Sequence, residues 1–145
     1  MRIASIAALA ATGVLSIATG AMAAGGGSAY TNRAPIYQTN YPSPTSSVTP
    51  VRPPATAKIT SINVNWVLSR SYSGVQLQLC GSINPCQTIV QSTYGASGSV
   101  YFTGFNGKQA NQSWRIEATA LSGTTKTITP VLYHGRHLIT VNYGP

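Results

Sequence analysis

Val75-Gln76-Leu77-Gln78-Leu79-Cys80 alternates apolar and polar side chains without a break, and the loop Gly81-Ser82-Ile83-Asn84-Pro85 then leads to Cys86. Residues two apart on a strand share a face. Val75, Leu77 and Leu79 therefore face a core, and Cys80 lies on the opposite face, where a cysteine on a returning strand from Cys86 to Val90 can meet it. The chain has two cysteines, so a disulfide clasping this hairpin is the expected pairing. Closing so short a loop contributes on the order of 2 kcal/mol and pins register more than it adds stability. Such a bond needs an oxidising compartment. Nothing around the pair resembles a redox-active C-x-x-C at a helix start.

The first residues supply a route to such a compartment. Met1-Arg2 is a short positive start, Ile3 to Ala18 is apolar with small interruptions, and Ala21-Met22-Ala23 offers small residues for cleavage. This three-part layout predicts a secretory signal peptide over residues 1–23, cleaved near Ala23. No later segment approaches the roughly 20 apolar residues that span a bilayer, so no transmembrane segment is expected after cleavage.

Outward from the hairpin the period remains two. Ile62, Val64, Trp66 and Leu68 alternate with Ser61, Asn63, Asn65 and Val67, and Trp114, Ile116 and Ala118 alternate with Arg115 and Glu117. Val100 to Phe105, Ile128 to Tyr133 and Leu138 to Tyr143 read as further strands. Ser73-Gly74, Gly95-Ala96-Ser97-Gly98, Asn106-Gly107 and Ser122-Gly123 punctuate them as turns. Beyond the signal peptide no window has helical spacing. About seven short antiparallel strands at this interval predict an all-β sandwich over residues 58–145, with Trp66, Leu77, Leu79, Trp114, Val141 and Tyr143 in its core.

Residues 24–57 read differently, holding six of the chain's nine prolines and the run Gly25-Gly26-Gly27. Proline lacks a donor and fixes its φ, so this stretch is expected to be an extended arm with at most one edge strand, near Tyr30 to Gln38. On that reading the arm is dispensable for folding. Tyr30, Tyr37 and Tyr41 within it suit contact with a partner or with glycans.

Charge and chemistry narrow the function. Glu117 is the chain's one acidic residue, against eight basic residues after Arg2 is removed, a net +7. These bases are dispersed rather than clustered, so no nucleic-acid partner is expected, whereas attraction to phospholipid head groups or acidic glycans fits the excess. Glycoside hydrolysis needs two carboxylates and a Ser-His-Asp triad needs an acid, so no enzymatic activity, catalytic residue or cofactor is expected. Glu117 reads as a solvated ion pair with Arg115 or a cross-strand partner. His134-Gly135-Arg136-His137 reads as an exposed hairpin tip whose imidazoles become neighbours if Gly135-Arg136 is a two-residue turn. Two nitrogens alone do not make a zinc site, so no metal is expected, and changes at either histidine are expected to leave function nearly intact.

Trp66, the Val75-x-Leu77-x-Leu79-Cys80 strand, Cys86, Trp114, Pro130-x-Leu132 and the terminal Val141-Asn142-Tyr143, behind a signal peptide, resemble the flagellar FlhE family over Ile59 to Tyr143. The resemblance implies a periplasmic sandwich without enzymatic activity, an accessory of flagellar assembly that limits proton leakage at the export gate as a plug or chaperone. It implies a protein partner among export or basal-body components. His134 and His137 match no motif of that family, and nothing is carried over to residues 24–57. The competing expectation is a secreted sandwich that binds cell-wall or surface glycans.

Overall fold

The structure is a computed structural model and describes residues 24–145. The expected signal peptide lies outside the described residues. Among the described residues no helix is long and apolar enough to cross a membrane.

Among the described residues ten strands follow in chain order: β1 (Gly25–Tyr30), β2 (Arg33–Gln38), β3 (Ser43–Pro44), β4 (Lys58–Val67), β5 (Val75–Gly81), β6 (Gln87–Val90), β7 (Ser97–Phe102), β8 (Trp114–Ala120), β9 (Thr127–Gly135) and β10 (Leu138–Gly144). They form two four-stranded sheets, β1-β10-β4-β7 and β3-β8-β5-β6, and a two-stranded sheet, β2-β9. Every pairing is antiparallel. The all-β sandwich read from the sequence is the fold observed.

The alternation that predicted the strands also builds the core. In β4 and β10, Ile62 stands opposite Val141 and Val64 opposite Ile139. In β5 and β8, Leu77 stands opposite Ala118 and Leu79 opposite Ile116. These side chains are buried in one apolar cluster shared by the two large sheets, together with Trp66 and Trp114. Each fully buried Leu, Ile or Val contributes roughly 1.5–3 kcal/mol relative to exposure.

Trp66 lies across the start of β7. Its register partner is Gly98, and a Cβ there would come within 2.5 Å of the indole. Only glycine leaves the ring room to lie across the neighbouring strand. Gly98, expected in a turn, is therefore a strand residue. The strand expected at Val100 to Phe105 runs over Ser97–Phe102 instead, and Phe105 follows it, buried edge-on against Trp114 at 4.9 Å. Tyr143 packs against the core but is only partly buried, because the register shifts between Asn142 and Tyr143 and the bulge breaks the period that pointed it inward.

Residues 24–57 are a structural part of the sandwich rather than an arm with one edge strand. β1 pairs along β10 from Gly25↔Tyr143 to Tyr30↔Leu138, β2 pairs with β9, and β3 with β8. Ala34, Ile36, Val51 and Ala57 are buried. Prolines are admitted because these strands lie at sheet edges, where one side of the backbone makes no ladder. Pro35 stands opposite Tyr133, and Pro44 ends the short β3. Polar residues are admitted because each finds a partner: Thr45 Oγ1 accepts the Ile116 N–H at 3.1 Å, and Thr39 Oγ1 donates to the Thr124 carbonyl.

Candidate functional site

The turn between β9 and β10 is buried, contrary to the exposed tip expected. His134 and His137 are 1% and 0% exposed. The cause is the connection between β1 and β2, which crosses over the turn. Thr31 N–H donates to the His137 carbonyl at 2.9 Å, the His137 N–H donates to Thr31 Oγ1 at 3.1 Å, and the Arg136 N–H donates to the Asn32 carbonyl at 3.2 Å. Gly135 makes this cover possible. Its φ is 130°, and a Cβ there would lie 2.2 Å from the Asn32 carbonyl oxygen, so any side chain would push the connection away.

Backbone donors and acceptors fix the protons on the two rings. The Val67 N–H donates to His137 Nδ1 at 3.1 Å, so that nitrogen carries a lone pair and the proton sits on Nε2. His137 Nε2–H then donates to His134 Nδ1 at 2.9 Å. His134 Nε2–H in turn donates to the Ser43 carbonyl at 2.9 Å, with Ser43 Oγ at 3.2 Å. Ser43 Oγ–H closes the chain on the Pro35 carbonyl at 2.7 Å. The path runs from β4 through the turn to β9, β3 and β2, and so joins all three sheets.

Both rings are neutral in this arrangement. Burial lowers His134 from 6.5 to about 4, against a smaller raising contribution from its bond to Ser43. Burial lowers His137 to about 3, and repulsion from a charged His134 adds to it. Each lone pair already accepts a hydrogen bond, so neither ring is free to take a proton from a substrate or to ligate a metal without breaking the chain.

The other residues singled out fall elsewhere. Cys80 and Cys86 form the expected disulfide, with Cα atoms 4.0 Å apart. Glu117 and Arg115 form the expected ion pair at 2.7 Å. Glu117 Oε2 also lies 3.5 and 3.7 Å from the two sulfurs. These are contacts rather than hydrogen bonds, because a disulfide sulfur carries no proton. The three groups lie within reach of one ion, yet the oxidised sulfurs provide no thiolate. Tyr30, Tyr37 and Tyr41 are exposed, at 67%, 63% and 55%. Pro35, Tyr37, Tyr41 and Pro44 line a shallow pocket of about 280 Å³. A second cleft, of about 550 Å³, opens over the histidine turn between Tyr30, Asn32, Arg33 and Arg136.

Sequence reasoning brought the two imidazoles together but missed their burial, and it missed Ser43, Val67 and Thr31 as partners. The usable signal was His-Gly-x-His, in which a glycine beside two histidines permits close backbone approach from a segment far away in the chain.

No family model and no curated protein sequence matches the chain. Solved structures do. The crystal structure of FlhE superposes with a TM-score of 0.55 at 17% identity, covering 84% of this chain and 96% of that one. A chain from the complex of Aeromonas sobria serine protease with the chaperone ORF2 gives a TM-score of 0.50 at 12% identity, covering 83% of this chain and 27% of that one. The fold is FlhE-like.

Proposed function

We propose that this protein is a non-enzymatic accessory of flagellar assembly that works in the periplasm through contacts with export or basal-body proteins. The observation that carries this reading is the backbone course shared with FlhE over nearly the whole of both chains, joined to the order of sequence features already matched to that family. The clasped Cys80–Cys86 hairpin suits an oxidising compartment. The lone carboxylate is engaged by Arg115 and the imidazole lone pairs are engaged internally, which speaks for a contact role rather than for acid-base catalysis. In its finer form the protein limits proton leakage at the export gate as a plug or chaperone. Cross-linking in cells tests the contact role: export or basal-body components should be recovered with the protein, and their absence from the cross-linked species would count against it.

A second reading rests on one observation. Exposed Tyr37 and Tyr41 border the same pocket, an arrangement suited to stacking on sugar rings. Retention on purified peptidoglycan that is lost in Tyr37→Ala and Tyr41→Ala would favour a glycan-binding module.

A further inference from the structure

Arg33 and Arg136 come from opposite ends of the sequence and line one cleft. Both are exposed. Glu117 is the chain's one acidic side chain and is already held by Arg115, so no carboxylate side chain of this chain is free to balance the two guanidinium groups. Two cations lining one cleft make it attractive to an anion.

Three features position the two cations. Arg33 lies over the Tyr133 ring at 4.6 Å, which orients its plane. Gly135 packs directly on the backbone of Asn32 and Arg33, and the Arg136 N–H is bonded to the Asn32 carbonyl, so both arginines spring from one rigid backbone junction. Arg136 itself has φ 55°. That region suits glycine or asparagine and strains other residues. Folding alone therefore gives no reason for an arginine there, and strain of this kind collects at ligand sites.

We propose that the cleft between Arg33 and Arg136 binds a phosphate group. Each guanidinium presents a planar fork of N–H donors that matches phosphate or carboxylate oxygens in pairs. Two forks together offer more donors than one carboxylate can accept, and a phosphate has the further oxygens to receive them. Tyr30 adds an aromatic wall with a hydroxyl. The phosphate can come from a phospholipid head group or from a soluble phosphate ester, and the same two arginines would hold either.

The test titrates the purified protein with glycerol phosphate, followed by amide chemical shifts, alongside sedimentation with phosphatidylglycerol and with phosphatidylcholine vesicles. Saturable shifts are expected at Asn32, Arg33 and Arg136. Arg33→Gln and Arg136→Gly should each weaken binding roughly tenfold, while Arg52→Gln and Lys108→Gln, exposed bases outside the cleft, should change it less than about twofold. Arg136→Gly retains the left-handed backbone, so its melting temperature should hold or rise even as binding weakens, which separates the site from the fold. Binding of phosphatidylglycerol vesicles with the same ranking of variants assigns the phosphate to lipid; binding of glycerol phosphate alone assigns it to a soluble ester. Absence of saturable binding to either probe, or equal losses in the Arg52 and Lys108 variants, would overturn the proposal.

Discussion

His137 donates its Nε2 proton to Nδ1 of His134 across 2.9 Å in a place that water does not reach. One ring is anchored by the Val67 N–H of β4 and the other by the Ser43 carbonyl of β3, so this side-chain contact links the two large sheets and the β2-β9 pair alongside the shared apolar core. Its consequences for stability can be measured.

Both imidazoles should be found as Nε2–H tautomers. Nitrogen-detected NMR of the histidine rings at neutral pH checks this. An Nδ1–H signal from either ring would mean that the Val67 or His137 bond does not form.

Stability should depend on pH in a defined window. Both histidines titrate lower in the folded chain, about 4 for His134 and about 3 for His137, than the ordinary imidazole value of 6.5. Between these values the unfolded chain binds more protons, so stability is full above about pH 6.5 and is lost as pH falls toward 4 and below. The slope can approach about 1.4 kcal/mol per pH unit for each ring. Denaturant unfolding from pH 7.5 to pH 4 measures it, and a flat profile would show that the rings are not buried neutral.

Replacing either ring should destabilise the fold, unlike the tolerance expected of an exposed tip. His137→Ala leaves the Val67 N–H and His134 Nδ1 without partners, each at a cost of about 1–3 kcal/mol, and opens a cavity as well. A total loss on the order of 3–5 kcal/mol is expected in equilibrium unfolding. A loss below about 1 kcal/mol would place the turn in solvent.

Much of this architecture was legible from residue order alone. Ile62-x-Val64-x-Trp66, Val75-x-Leu77-x-Leu79 and Trp114-x-Ile116-x-Ala118 alternate cleanly because each strand has one face on the core. The cysteine hairpin was legible because its loop is local. Residues 24–57 were not, because their strands are held by edge pairing and by buried hydroxyls such as Thr45 and Ser43, which no hydropathy pattern registers. The histidine turn was misplaced for the same reason: its burial depends on the β1–β2 connection, about a hundred residues earlier, lying across it.

Truncation separates the two views of that segment. Removing residues 24–56 exposes the edges of β8, β9 and β10 and takes Ile36 and Val51 out of the core. The shortened chain is expected to lose cooperative thermal unfolding or to melt far below the complete one. An unchanged midpoint would restore the arm reading.

Unreduced protein should show by mass spectrometry the two-hydrogen deficit of one intramolecular disulfide, with no thiol to alkylate. Cys80→Ser with Cys86→Ser should cost on the order of 2 kcal/mol in unfolding. Two alkylated cysteines in unreduced material would contradict the clasp and the compartment it implies.

The flagellar role is tested most directly by deleting the gene and restoring it with the wild-type or the Trp66→Ala chain, while swimming motility and cytoplasmic pH are followed together. Deletion should impair motility and lower cytoplasmic pH in acid medium. The wild type should restore both, and Trp66→Ala, which opens a core cavity costing about 3–5 kcal/mol, should restore them poorly. Unchanged motility and unchanged cytoplasmic pH in the deletion strain would contradict the flagellar function and leave the FlhE-like fold without it.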